Sequence, residues 1–300
     1  MAIKRNERYP GRFQNPSADY PQGAFKNRSS PTSQDGSYLE KDWANDWDGF
    51  FAALLTSAGI TPNGNVDTAS SSQYFDALGT ITNGKLLAVK TITTSGTYTK
   101  PANVKKLRVR VLGGGGAGGG TTTTTASQIA SGAGGNGGSF GDTGLFDASL
   151  INTVSVTVGA GGVAAPGGNG GAGGSTSFGT YITAPGGAGG VVGPGGPAPS
   201  TGADNVAGSP CTGSSVFTSV RGKPGSAAVN LSLSSLTIRS GRGGDSILGS
   251  GGGSVIGGSS GIAGSDFGAG GSGASAGPST SSTQGGGNGS PGICIIEEYY

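Results

Sequence analysis

The spacing of apolar and polar positions changes character along the chain, and each change predicts a different element. Trp43, Trp47, Phe50 and Leu54 are spaced four, three and four apart, with Phe51 and Leu55 widening the stripe. That spacing is the face of an amphipathic helix over residues 38–58. Ser37-Tyr38-Leu39-Glu40 fits a capping box at its start, acidic residues cluster in its first half, and Gly59 is placed to end it. Pro62-Asn63-Gly64 predicts a turn into a second helix near 68–78, carrying Tyr74, Phe75 and Leu78. The first helix can pack on the second, or on its own copies around a threefold axis. Two heptads are too short to stand alone as a coiled coil.

Beyond residue 100 the period shortens to two. Val104, Leu107, Val109 and Val111 interleave with Lys106, Arg108 and Arg110, and Val154, Val156 and Val158 interleave with Thr153, Ser155 and Thr157. These are half-buried strands. Phe178 and Tyr181 sit in a short Ser/Thr run, and Leu231, Leu233, Leu236 and Ile238 form a further apolar set. The closing stretch Ile293-Cys294-Ile295-Ile296 is apolar on both faces, which predicts a central strand. Between the strands the period is three. Ala133-Gly-Gly-Asn136-Gly-Gly-Ser139, Asn169-Gly-Gly-Ala172-Gly-Gly-Ser175 and Pro185-Gly-Gly-Ala188-Gly-Gly-Val191 keep strict phase, and Gly114 to Gly120 fits around Ala117. Three residues per turn is the polyproline II repeat, and glycine at two positions in three lets such helices pack face to face. The runs are too short, too broken and too poor in proline for collagen. A flexible linker would not keep phase.

Composition adds a partition. Of 66 glycines, 57 follow residue 100, whereas twelve of the twenty aromatics precede it. Residues 1–37 have neither helical nor alternating period. They carry four prolines, the spaced aromatics Tyr9, Phe13, Tyr20 and Phe25, and a local charge of +3. We read them as an extended arm, with the aromatics suited to separate pockets on a partner. Three segments follow: an arm over 1–37, a helical attachment or trimerisation segment over 38–89, and a glycine-rich domain over 90–300. The expected fold is an arm and short helices, then a mainly β region with packed polyglycine helices.

The chemistry is sparse. The chain has no histidine, which excludes Ser-His-Asp and Cys-His catalysis and any His-ligated metal. Cys211 and Cys294 are too few for a disulfide framework, and we expect two free thiols, one in a loop and one in a buried strand. No apolar run approaches a membrane span, the start MAIKRNERYPG lacks the apolar core of a secretory signal, and the net charge of +2 gives no overall sign of nucleic-acid binding. Carboxylates after residue 110 show no paired spacing, and the glycine runs match phosphate loops only by chance. No catalytic residue, metal ligand or cofactor is expected.

Several stretches together resemble the glycine-rich domain of bacteriophage tail-fibre proteins. They are Thr94-Ser-Gly-Thr-Tyr-Thr-Lys-Pro101 leading through Val104–Leu112 into GGGGAGGG, Val154-Ser-Val-Thr-Val-Gly-Ala-Gly-Gly162, Gly173-Gly-Ser-Thr-Ser-Phe178, and Gly289-Ser-Pro-Gly-Ile-Cys-Ile-Ile-Glu-Glu-Tyr299. Gly59-Ile-Thr-Pro-Asn-Gly64 and Ser72-Gln-Tyr-Phe-Asp-Ala-Leu78 resemble the virion-attachment segment of tail fibres and tailspikes. The resemblance implies a trimeric fibre in the virion tail, made in the host cytoplasm. Its partners would be phage tail proteins, reached through Tyr9, Phe13, Tyr20, Phe25, Trp43, Trp47, Phe50 and Leu54, and a host surface receptor. Residues 197–240 depart from the pattern and read as an insertion. Receptor contacts are expected in the gaps between glycine runs: Thr121, Gln128, Pro199, Asp204, Phe217, Arg221, Lys223, Ser279 and Gln284. The alternatives are a structural tail adaptor or a tailspike that cuts polysaccharide.

Overall fold

The computed structural model describes residues 5–18, 24–37, 41–68, 70–81, 85–202, 205–233 and 237–300. Tyr20, Asp204, Leu236 and the capping residues Tyr38, Leu39 and Glu40 lie outside the described residues. The chain divides into two compact units, Met1–Asn83 and Gly84–Tyr300. The second opens ahead of residue 90 because the strand that begins there pairs with the C-terminus.

In the first unit, α1 (Arg5–Arg8) is a single turn, α2 spans Lys41–Ala58 and α3 spans Gln73–Ile81. Gly59 ends α2 with φ +68°, and the Ile60 amide closes back on the Leu55 carbonyl at 3.0 Å. Ser72 caps α3, its hydroxyl accepting the Phe75 amide at 3.1 Å. The two helices pack through Phe51 and Tyr74, with ring centroids 4.5 Å apart. Within the chain the arm's described aromatics are set against one another rather than spread singly. Phe13 and Phe25 bridge antiparallel, and Phe13 is buried. Tyr9, Phe13, Phe25, Trp43, Trp47 and Phe51 then follow one another at centroid spacings of 5.2–6.0 Å. Burying aromatic area against the chain's own helix competes with presenting it to a partner. Of the helical stripe, Leu55 is buried and Leu54 half-buried, whereas Trp47 and Phe50 remain 50% and 55% exposed.

The second unit is mainly β. Its strands are β1 (Leu86–Ile92), β2 (Gly96–Thr99), β3 (Lys106–Leu112), β4 (Ala130–Ser131), β5 (Phe140–Asp147), β6 (Thr153–Thr157), β7 (Thr176–Phe178), β8 (Ile182–Ala184), β9 (Ser200–Thr201), β10 (Thr218–Val220), β11 (Val229–Ser232), β12 (Thr237–Arg239), β13 (Ser275–Ala276) and β14 (Ile293–Tyr299). One antiparallel sheet runs β1-β14-β3-β5-β10 and a second runs β2-β6-β7-β8. The doubly apolar C-terminal strand is central, as its pattern requires. The core between the sheets holds Leu107, Val109 and Val111 of β3, Cys294 and Ile296 of β14, and Tyr98, Val156, Phe178 and Ile182 opposite them. Glu298 is also buried, and is satisfied by the Tyr98 hydroxyl at 2.7 Å and Lys90 at 2.7 Å.

The other face of the first sheet carries charge. Asp142 accepts from Arg108 Nη2 at 2.6 Å and from the Gly144 amide at 2.7 Å, while Glu297 pairs with Arg110. Burial pushes the Asp142 carboxyl up. The Arg108 hydrogen bond, the Gly144 amide and the charges of Arg108 and Arg110 outweigh it, so its pKa lies below the ordinary range. A depressed carboxylate contributes stability that is complete above its unfolded value, near about 4, and is lost as pH falls through the lower folded value. Thermal melts should therefore be level from neutral pH to roughly pH 4 and fall below it. Asp142→Asn should melt lower at neutral pH and show a smaller acid-induced drop. An identical acid profile in the variant would remove Asp142 from this role.

Six strands run on directly into glycine helices. β3 continues as 113–120, 132–139 leads into β5, and 285–292 leads into β14. β6 continues as 159–165, 168–175 leads into β7, and β8 continues as 185–193. Run 113–120 lies at the centre, fully buried. With three residues per turn, successive amides point in three directions. Gly113, Gly116 and Gly119 donate to Ser139, Asn136 and Ala133; Gly114, Ala117 and Gly120 donate to Gly174, Gly171 and Gly168; Gly115, Gly118 and Thr121 donate to Ser290, Gly287 and Gln284, all at 2.8–3.0 Å. Its carbonyls accept from three further runs, through Gly187, Gly190 and Gly193, through Gly162, and through Gly271 and Ala274. Six neighbours thus surround one helix, and the order of runs repeats the strand orders β14-β3-β5 and β6-β7-β8. Run 268–274 is enclosed in the same way by residues of 241–244, 250–252, 261–264 and 285–290 besides 113–120 and 132–138.

Candidate functional site

The lattice sets where the loops emerge. Eight residues at roughly 3.1 Å each carry the central run about 25 Å from the sheets. At that far end three gaps between glycine runs meet. The Thr121 amide donates to the Gln284 carbonyl at 2.9 Å, and Gly193 bridges Thr121 in parallel. The Ser279 amide donates to Thr125 O at 3.0 Å, the Thr280 amide donates to Thr124 Oγ1 at 3.0 Å, and Ile129 exchanges both backbone bonds with Gly196 at 3.0 and 3.1 Å. Segments 121–131, 193–199 and 277–284 therefore form one surface. It contains no Asp, Glu, Lys or Arg and is rich in hydroxyls.

Individual residues on this surface differ from expectation. Thr121 is fully buried, because its backbone continues the central run by pairing with Gln284, so it cannot reach a ligand. Gln128 is half-buried and its Oε1 accepts the Thr125 amide at 3.1 Å, closing its own turn. Gln284 is half-buried, and its Oε1 accepts from the Ser260 hydroxyl at 3.2 Å. Pro199 and Ser279 are exposed. Exposed Thr123, Thr125, Ser281 and Ser282 complete the surface.

The remaining candidates stand elsewhere. β10 pairs with β5 through Val220 and Phe140, which places Phe217, Arg221 and Lys223 at the sheet end of the lattice. The candidates therefore do not form one site. Phe217 is 78% exposed, and its amide donates to Asp142 O at 2.9 Å. Arg221 and Lys223 are exposed beside a cleft of ≈ 140 Å³ lined by Phe140, Val220, Ser246 and Ile247.

Sequence reasoning missed Asn136. It occupies the third position of a GGX triplet where most runs carry alanine, and it is fully buried. Its Nδ2 donates to Val206 O at 2.6 Å and its Oδ1 accepts the Gly225 amide at 2.9 Å. Asn205 Nδ2 returns a bond to Gly134 O at 2.7 Å, and the Ser139 hydroxyl donates to Ser209 O at 2.7 Å. These bonds fix part of the 197–240 insertion against the lattice. The polar residue inside the triplet was the available signal.

Both cysteines are free and buried, Cys294 in β14 and Cys211 in a loop against the core. Burial pushes both thiols up, Cys294 to about 12, which leaves them protonated and unreactive at neutral pH. Among the described residues no three Cys, Asp or Glu side chains converge as a metal site.

No curated protein matches the chain. Residues 91–299, covering both sheets and the glycine lattice, match the family model of a glycine-rich domain, and the chain belongs to that glycine-rich domain family.

Proposed function

We propose that this chain is a virion tail-fibre protein whose glycine-rich domain attaches the particle to a host-cell surface by non-covalent recognition. The observation that carries this reading is the gathering of three loops at the far end of a rigid lattice. Glycine helices offer a partner little chemistry, whereas loops fixed on a stiff scaffold bind without a large ordering cost. The test places bulk on the surface without touching the lattice. Thr123→Trp with Ser281→Trp changes two exposed positions. Adsorption to host cells should fall about tenfold or more at an unchanged melting temperature. Undiminished adsorption would defeat the reading and leave a structural tail adaptor.

In this proposal the first unit joins the fibre to tail proteins and to two further copies of itself. Support comes from Trp47 and Phe50 on α2 and Phe75, Leu78 and Ile81 on α3, which are 47–71% exposed and lack a complete apolar cover. Light scattering of the full chain should give about three times the monomer mass. A monodisperse monomer would leave the helices packing within one chain.

A further inference from the structure

The lattice is almost uncharged, and its few cations are not scattered. After residue 110 the chain has four Lys or Arg residues, and all fall between 221 and 242: Arg221, Lys223, Arg239 and Arg242. The structure brings their two segments side by side. The Ser226 amide donates to Arg242 O at 2.9 Å, the Arg242 amide donates to Ser226 Oγ at 2.8 Å, and Val229 pairs with Arg239 between β11 and β12. All four cations are exposed, along a wall whose length from 221 to 229 is about 25 Å at the rise of such helices.

These cations differ from those of the sheet. Arg108 and Arg110 are paired with Asp142 and Glu297. On the wall Arg242 pairs with Asp245 at 2.8 Å, and Arg221, Lys223 and Arg239 make no ion pair among the described residues. The cleft at one end of the wall adds a second feature. Phe140, Val220 and Ile247 supply apolar surface, Arg221 and Lys223 flank it, and the one carboxylate in its lining, Asp245, is held by Arg242. Its ≈ 140 Å³ is well below the roughly 300–1,000 Å³ of sites for drug-sized molecules, so it suits a single ring or substituent.

We propose that this wall binds an acidic polysaccharide, with a sugar ring in the cleft and its carboxylate held by Arg221 and Lys223. The inference rests on the attachment reading and names the chemistry of one surface that the fibre meets. Side-chain chemistry selects the class: neither run carries an aromatic residue on which successive bases could stack, and the cleft's one ring, Phe140, is half-buried. The C–H faces of sugars suit the apolar wall of the cleft, and a guanidinium grips a carboxylate through two parallel hydrogen bonds.

The test uses the full chain and three immobilised polymers: polygalacturonate, neutral dextran and oligothymidylate. Binding to polygalacturonate is expected, with none to dextran and weaker binding to oligothymidylate. It should weaken about tenfold or more between roughly 50 and 200 mM salt. Arg221→Ala with Lys223→Ala should reduce it about tenfold at an unchanged melting temperature, and Arg221→Lys should lose less. Equal binding to dextran, insensitivity to salt, or tighter binding to oligothymidylate would overturn the proposal. The salt titration of the unsubstituted chain decides it even if a variant fails to fold. Host-cell adsorption is scored separately. Adsorption without polygalacturonate binding overturns this inference alone, and polygalacturonate binding without adsorption overturns the attachment reading alone.

Discussion

Gly118→Ala is expected to destabilise the glycine-rich unit by about 4 kcal/mol or more, although it adds a single methyl group. A Cβ at Gly118 would lie 1.8 Å from the Ser272 carbonyl oxygen and 2.2 Å from its carbonyl carbon. Both are backbone atoms of run 268–274, which is itself enclosed by six neighbours. No side chain is present to rotate away. The two runs must separate, and their hydrogen bonds to every other neighbour strain with them. Where a core of leucines spreads an added methyl over several rotamers, a lattice of backbones cannot. The melting temperature should fall by roughly 10 °C or more for a unit of this size. Gly196→Ala is the control. Nothing lies within 4 Å of its added methyl, so the change should stay within about 0.5 kcal/mol. Equal melting temperatures for the two variants would show that the runs are not packed at this spacing.

Asn136→Ala should cost about 2–4 kcal/mol through a different mechanism. The substitution fits sterically, since alanine fills the equivalent triplet position at Ala133 and Ala188. What it removes is an acceptor for the buried Gly225 amide and a donor to the carbonyl of Val206, a residue that is itself exposed. The Gly225 amide left without a partner carries its desolvation cost, and the lost bond to Val206 frees the segment it holds. The loss should also be local. Amide exchange should accelerate at residues 205–209 and 222–226, with little change in run 113–120, whose bonds do not depend on the Asn136 side chain. Uniform acceleration across the lattice would contradict the assignment of Asn136 as a fastener for the insertion. Because 222–226 carries Lys223, the same variant should weaken polygalacturonate binding without altering any cation.

Much of this fold could be read from residues, and the reasons are specific. Val104–Val111 and Val154–Val158 alternate because one face of each strand meets the core and the other does not. Ile293–Ile296 lacks alternation, and the consecutive Ile293 and Cys294, which point to opposite faces of the sheet, are both buried. The seam Trp43, Trp47, Phe50 and Leu54 placed α2, and Gly59 its end. The candidate sites were far less legible. Thr121 looks like the start of a polar loop after a glycine run, yet its amide continues the hydrogen-bond cycle and buries it. Phe217 looks equally suited to a core and to a surface, and its exposure follows from the pairing of β10 with β5. Tyr9, Phe13 and Phe25 look like a series for a partner, yet a fold-back of the chain sets them against one another.

The sequence by itself determined the repeat of three, and with it the kind of helix and the need for glycine at close approach. A three-residue turn aims successive amides in three directions whatever surrounds them, so local composition is sufficient to specify it. It could not determine which run stands beside which. The triplets of 113–120, 132–138, 168–174 and 185–193 are nearly interchangeable in composition and offer few side chains by which one run could select another, Asn169, whose Oδ1 accepts the Val192 amide at 2.8 Å, being an exception. Tertiary structure made that choice. The strands leading into and out of the runs have distinct apolar patterns and pair in a fixed order, and each run inherits its neighbours from the strand to which it is joined. The positions of the loops at the far end, and of four cations on one wall, follow from that order.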